Sequence, residues 1–366
     1  MIKKFLPLLF LCFSLGFSQN PLLSENAKVS IFTCGKGSEL YSTFGHTAIR
    51  IQDSKNFLDV VYNYGAFDFR TENFYLKFVK GDLQYFINAT SYDDFIFEYQ
   101  LDNREVIEQT LDLNISKKQE LFEALNSSLY SDQKYYTYKF IDRNCTTMVM
   151  DKVNTLFDKK VLKKIDDTSI SYREVLYPYF EDHFYYKLGI NIIFGAPTDI
   201  KSEQLFLPIE LLHSLDKAKI NGKKLVLKKE IIVKGNEIKK PFSFFNSIYF
   251  MALLLLIILI INKRFVVVSY LFILGVFGLF LCLVGFYSLH KEILWNYNAL
   301  LFNPLYLLLP FLKKEWFKRI TIVSLIFLTV YCCILVTKPH LLLMLPFITC
   351  NCYILAKLFL RTKTTE

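Results

Sequence analysis

The sequence predicts an α+β exported domain followed by an all-α transmembrane bundle of about five helices. Three observations carry this. Hydropathy divides the chain near Phe245: residues 19–244 are mixed and aromatic-rich, and the rest is dominated by long apolar runs. The first 18 residues carry Lys3 and Lys4, an apolar run from Phe5 to Phe17, and the small residues Gly16 and Ser18 ahead of Gln19, which is the layout of a secretory signal. Between them, short runs with strand-like alternation are interleaved with helical patterns.

Strands are expected at 28–34, 45–52, 57–64, 83–88, 104–111 and 135–141, and helices at 72–80, 117–130, 145–157 and 170–180. The lysine-rich stretch from Lys217 to Lys240 holds an Asn221-Gly222 turn between β-like runs and reads as a hairpin, either a solvated face or a contact for acidic headgroups. The expected organisation is a signal at 1–18, an exported domain at 19–215, a basic juxtamembrane linker at 216–244 and a membrane domain at 245–366.

Apolar spans are expected at 246–262, 265–287, 298–312, 320–337 and 341–360, the third short and containing Pro304 and Pro310. With the first domain outside, Lys263, Arg264, Lys313, Lys314, Lys318, Arg319, Arg361 and Lys363 all fall inside. The outer loops then hold only Lys291 and Lys338, as the positive-inside rule requires.

The formal net charge of +9 is concentrated outside the globular part, because acidic and basic residues nearly cancel between 19 and 244. A nucleic-acid partner, which needs a basic face on a folded domain, is excluded on that ground. Of the eight cysteines, Cys12 leaves with the signal and Cys282, Cys332, Cys333, Cys350 and Cys352 lie in spans. Only Cys34 and Cys145 face the exterior, where they could form a disulfide. No His, Cys and Asp cluster has metal-ligand spacing, and no cofactor is implied.

Two motifs carry chemistry. His46 lies in the strand-like run Phe44-Gly45-His46-Thr47-Ala48-Ile49-Arg50-Ile51. Cys145 lies in Asp142-Arg143-Asn144-Cys145-Thr146-Thr147, where Asn144 is an N-cap and Cys145 opens a helix. A thiol at a helix N-terminus is favoured as thiolate, and an imidazole nearby can serve as its base. Such a pair needs a third group to orient the ring. Asn63, on the following strand, is the first candidate, with Tyr41 and Asp59 as alternatives. The Cys145 N–H is the expected oxyanion donor. In the outer loop His290–Asn298, Trp295 and Tyr297 suit an interfacial belt, while His290, Glu292, Asn296 and Asn298 are expected to position a lipid headgroup or an acceptor amine.

The order, histidine strand first and Asn-Cys helix later, resembles the circularly permuted papain-like enzymes such as lecithin–retinol acyltransferase and its phospholipid-acyltransferase relatives. A longer resemblance is carried by Glu39-Leu40-Tyr41-Ser42, Phe44-Gly45-His46-Thr47-Ala48-Ile49-Arg50, Val61-Tyr62-Asn63-Tyr64-Gly65, Phe67-Asp68-Phe69, Phe74-Tyr75-Leu76-Lys77-Phe78 and Asn144-Cys145-Thr146-Thr147. Gly195-Ala196-Pro197-Thr198-Asp199 and Glu203-Gln204-Leu205-Phe206-Leu207-Pro208 extend it. Together these resemble the Lnb-type lipoprotein N-acyltransferases of Bacteroidota, from about residue 28 to 210 and less distinctly through the membrane tail.

The resemblance implies a circularly permuted papain-like domain in the periplasm, held on the inner membrane. It also implies a Cys145 thioester formed from a phospholipid acyl donor and passed to the α-amine of a lipoprotein acceptor. His46 would be the base and Asn63 its orienter, with Tyr41 facing substrate. Two other readings remain at this stage: a membrane-anchored cysteine peptidase of the NlpC type, and a non-enzymatic sensor stabilised by a Cys34–Cys145 disulfide.

Overall fold

The computed structural model describes residues 21–235 and 241–363, so the signal expected at 1–18 lies outside the described residues. Among the described residues, seven strands form one antiparallel sheet: β1 (Lys28–Cys34), β2 (His46–Asp53), β3 (Leu58–Ala66), β4 (Gln84–Ser91), β5 (Val106–Leu111), β6 (Tyr135–Thr137) and β7 (Val226–Val233). Their order is β6-β4-β3-β2-β1-β5-β7. Alternation along each strand separates two apolar layers. Val29, Ile31, Ile49 and Ile51 enter the main core with Leu121 and Leu125 of α3 (Ile115–Tyr130), Val149 and Val153 of α4 (Cys145–Asn154), and Leu211 and Leu215 of α6 (Pro208–Lys217). Phe32, Cys34, Ala48 and Val61 pack instead with Phe95 and Tyr99 of α2 (Tyr92–Leu101). Each fully buried isoleucine in the main layer contributes on the order of 1.5–3 kcal/mol.

Several elements depart from the expectations. The strand expected over 135–141 stops at Thr137, because Lys139 and Arg143 pair across a tight turn that feeds α4. Residues 219–233 of the basic stretch do not form a separate linker. A small ribbon does close around Asn221-Gly222, but β7 then pairs with β5 as the outer strand of the main sheet. Its exposed lysines are what an edge strand uses to resist pairing with another chain. Helix α2 is additional. Ser91 caps it by accepting from the Asp94 N–H at 3.1 Å. Helix α5 (Phe184–Ile193) and α6 are also additional, and the helix expected at 170–180 shrinks to Tyr172–Val175 and a 3-10 turn.

C-terminal to the sheet lie α7 (Ile248–Ile261), α8 (Arg264–Tyr287), α9 (Lys314–Leu335) and α10 (Leu341–Lys363). Among the described residues, three helices are long and apolar enough to cross a membrane: α8, α9 and α10. Helix α7 has 14 residues, a length of about 21 Å against a hydrocarbon core of about 30 Å.

The third expected span, 298–312, is not a continuous helix. One turn (Asn298–Leu301) gives way to 3-10 turns at Pro304–Leu307 and Leu309–Phe311. Proline cannot continue the helical ladder, and the backbone groups it frees need protein partners. Asn351 donates to Leu301 O at 3.1 Å, and Tyr270 holds the Asn351 carboxamide at 2.7 Å. Asn303 accepts from the Leu305 N–H at 3.0 Å and donates to Ser324 Oγ at 3.1 Å. The broken segment lies directly on α8 at Gly278, where a Cβ would collide with the Phe302 carbonyl.

A buried ion pair joins the sheet domain to the connections between these helices. Arg173, fully buried, binds Asp199 through Nε at 2.7 Å and donates to Asn191 Oδ1 and the carbonyls of Phe194 and Gly195. The second Asp199 oxygen accepts from the Tyr297 hydroxyl at 2.7 Å and meets Lys338 at 3.3 Å. Removing one partner strands the other charge in a dry site. Asp199→Ala should therefore cost about 3–5 kcal/mol, read as a lowered unfolding midpoint of the full chain in detergent; an unchanged midpoint would show that the pair is solvated.

Candidate active site

The site is assembled where α4 meets the open ends of β2 and β3. Asn144 ends the turn before α4 with an extended backbone. Its Oδ1 accepts from the N–H groups of Thr146 at 2.9 Å and Thr147 at 3.0 Å. Thr147 returns the contact by accepting the Asn144 N–H at 2.9 Å, which completes a capping box. The Asn144 Nδ2 donates to Phe140 O at 2.8 Å and Phe206 O at 2.9 Å. The cap therefore occupies the second and third N–H groups of the helix. It does not engage that of Cys145, the first of the helix.

His46 opens β2 and Asn63 sits one strand away on β3. The His46 Nε2 is 3.2 Å from Asn63 Oδ1. Asn63 Nδ2 is turned the other way, donating to Val61 O at 3.3 Å and Thr90 Oγ1 at 3.4 Å. With its nitrogen so committed, Asn63 presents an acceptor to the ring. Nε2 then carries the proton, and Nδ1 is the basic nitrogen.

Burial alone would push the Cys145 thiol up. The charge of His46, a hydrogen bond to its ring, the Thr47 N–H and the Thr146 hydroxyl outweigh burial, and the thiol lies below its ordinary range. Thr47 and Thr146 brace each other at 3.2 Å between their hydroxyls, joining β2 to α4. Beside them the β3–β4 ladder bulges between Asn63 and Ala66, and Gly65 takes φ +94°. A Cβ there would lie in that left-handed region and 3.7 Å from Cys145 Cβ.

Other expected residues lie elsewhere. Asp59 is committed to Arg50, at 2.7 Å and 2.8 Å, and to Gln52, so it does not orient His46. Tyr41 is 65% exposed and meets the edge of Phe67, at 6.1 Å between ring centres; the polar partner of the His46 ring is Asn63 instead. Cys34 and Cys145 are both free thiols in different apolar clusters, so the disulfide weighed from sequence is not formed. Burial pushes the Cys34 thiol up to about 12, leaving it protonated and inert.

The four outer-loop residues expected to touch substrate are occupied by internal bonds. His290 donates from Nε2 to Phe78 O at 2.9 Å. The Glu292 carboxylate accepts the Ile141 N–H at 3.4 Å, and its carbonyl accepts the Gly195 N–H at 2.8 Å. Asn296 donates to Ile192 O and Ile193 O, while Asn298 donates to Asn191 O and Ile192 O and accepts from the Tyr331 hydroxyl. They clamp the membrane helices to α5 and to the turn before Cys145. No group of His, Cys, Asp or Glu among the described residues converges as metal ligands do.

Tyr138 was not singled out from sequence. It stacks on Tyr85 at 4.4 Å, and burial and the neighbouring Cys145 push its hydroxyl up. The alternating Tyr135-Tyr136-Thr137-Tyr138 run, three residues ahead of the Asp142–Cys145 turn, was the available signal.

Residues 19–176, which include the whole Cys145–His46–Asn63 arrangement, match the family model of the Lnb N-terminal periplasmic domain. By this match residues 19–176 belong with the Lnb-type family. No curated protein and no solved structure matches the chain. The Lnb domain is periplasmic, and the three long apolar helices C-terminal to it make this a membrane protein with a periplasmic domain.

Thiolate formation at Cys145 can be titrated by iodoacetamide labelling with peptide mapping. Reactivity should be present above the lowered pKa and lost as pH falls through it, with a midpoint below that of an ordinary thiol. His46→Ala removes the charge and hydrogen bond but leaves burial, so its midpoint should rise. Equal midpoints would mean that His46 does not act on the sulfur.

Proposed function

We propose that this protein is a lipoprotein N-acyltransferase. In this reading the periplasmic domain has a circularly permuted papain-like architecture and is held on the inner membrane by a multi-pass tail of five apolar segments. The observation that carries the reading is a thiol at a capped helix start, on a helix braced to the strand of an imidazole that Asn63 orients. It is fixed through Ile141 and Asp142 to the outer ends of membrane helices. Both substrates of such a transfer, a phospholipid and a diacylglyceryl-cysteine lipoprotein, are confined to that membrane surface.

The Cys145 thiolate attacks an ester carbonyl of the phospholipid, and the oxyanion forms against the Cys145 N–H. The ester C–O bond breaks, the lysophospholipid oxygen takes the proton held on His46 Nδ1, and an acyl thioester remains. The lipoprotein α-amine then attacks the thioester. His46 accepts its proton, the C–S bond breaks, and the amide product leaves Cys145 ready for another cycle. Asn63 keeps the proton on Nε2 throughout, so that Nδ1 handles both transfers. A thioester lies between an oxygen ester and an amide in reactivity, which suits an intermediate in this sequence. The lysines inside and the few basic residues outside support the orientation, with Lys291 bound to Asp142 at 3.2 Å on the outer side.

The test is the mass of a reporter lipoprotein in a host lacking its own N-acylation, expressing this protein or its Cys145→Ala form. Wild type should add one acyl chain and Cys145→Ala none. No gain with well-expressed wild type would remove this function, and equal gain with both would remove Cys145 from it.

A further inference from the structure

Helix α1 (Phe74–Lys80) is seven residues long and buries none of them. Tyr75, Leu76 and Phe78 are 76%, 61% and 47% exposed, and Phe69 beside them 60%. An apolar cluster of this kind on a folded domain marks a contact surface.

What it contacts is indicated by where it is pinned. The Leu289 N–H donates to Lys80 O at 2.7 Å, the Ser288 hydroxyl to Val79 O at 2.7 Å, and the His290 ring to Phe78 O. These residues follow directly on α8, whose last residues, Phe286 and Tyr287, are themselves exposed apolar side chains. The cluster on α1 is thus continuous with the end of a helix long enough to span a bilayer, at the level where that helix meets headgroups.

A second observation links this surface to the surroundings of Cys145. Phe78 stacks on Phe74 at 6.5 Å, Phe74 packs on Phe67 at 5.9 Å, Phe67 on Tyr85 at 5.3 Å, and Tyr85 on Tyr138 at 4.4 Å. Tyr138, Phe67 and Cys145 pack against the same apolar cluster, and Gly65, two residues before Phe67, lies beside Cys145. A continuous aromatic run therefore leads from the exposed helix into the apolar cluster that holds Cys145.

We propose that α1 and Phe69 insert into the outer surface of the bilayer, and that the acyl chain of a bilayer lipid reaches Cys145 along Phe67, Tyr85 and Tyr138. The delivery half rests on the acyl-transfer reading; the insertion half does not. A protein partner would not need the patch to run into the lipid-facing end of α8, nor an apolar path ending in the cluster that holds Cys145. His290 in this arrangement sets the depth of α1, which is the role its bond to Phe78 O gives it.

Insertion is tested on the full chain in phospholipid vesicles. The chain has two tryptophans, so Trp295→Phe and Trp316→Phe give a dark background in which Tyr75→Trp reports alone. Phosphatidylcholine brominated high on its acyl chains should quench that indole about twofold, as expected for a face buried about 5–10 Å deep, and acrylamide should have little effect. Full acrylamide quenching with no effect of bromine would overturn insertion.

Delivery is tested with the combined Tyr75→Ser, Leu76→Ser and Phe78→Ser variant. It should acylate Cys145 from vesicle phospholipid about tenfold more slowly, since three apolar contacts are lost, while iodoacetamide labelling of Cys145 stays at the wild-type rate. Equal acylation rates would overturn delivery. An inserted α1 in a wild-type chain that never acylates Cys145 would overturn delivery together with the acyl-transfer reading, and leave insertion standing.

Discussion

Two hydrogen bonds accepted and two donated by one buried carboxamide, that of Asn144, hold together three parts of the chain that have little else in common. Its oxygen caps α4, and its nitrogen ties the turn at Phe140 to the segment at Phe206 that enters α6. A cap alone is worth about 1 kcal/mol. Losing the donors as well would leave two carbonyls in a dry site, at about 1–3 kcal/mol each. The position of the Cys145 sulfur and the reach to β2 both depend on that group. The Asn-Cys dipeptide therefore divides its labour: the asparagine is architectural, and the cysteine is free for chemistry.

The same turn is braced from the membrane side. Glu292 reaches the Ile141 N–H and Lys291 reaches Asp142, so the loop after α8 supports the segment that presents Cys145. Below it the Arg173–Asp199 pair, with Tyr297 and Lys338, fills the junction between α5 and the outer loop. Groups of this polarity survive burial only with every partner in place. Burial raises the Asp199 carboxyl, but the Arg173 charge and hydrogen bond, with Tyr297 and Lys338, hold it below its usual range. Its contribution is accordingly present above the ordinary carboxylate pKa and is lost as pH falls through the lowered one. The periplasmic domain and the membrane helices are one structural unit at this junction.

The sheet core and the local settings of His46 and Cys145 were legible because they rest on local rules. Strand 28–34 coincides with β1, alternation places Ile49 and Ile51 of β2 in the core, and Asn144 reads as an N-cap from its residue type. What was not legible depends on distant partners. Strand β7 joins the sheet through β5, more than a hundred residues earlier, and only that pairing distinguishes it from a free hairpin. The Ser91 and Asp94 capping signal of α2 was present but hidden in an aromatic run. The polar residues of the outer loop invited a substrate role, since their carbonyl partners at 191–193 cannot be seen in one dimension. The proline-broken stretch 298–311 kept its apolar composition while losing the helix, because composition reports burial and not backbone geometry.

The central claim is that Cys145 carries the acyl group, and intact mass spectrometry of the purified full chain in phospholipid vesicles tests it most directly. Without an acceptor, wild type should accumulate one added acyl chain, mapped to Cys145 and removed by hydroxylamine at neutral pH, while His46→Ala should remain largely unmodified. An acyl chain that resists hydroxylamine, or that persists in Cys145→Ala, would contradict a thioester at this residue.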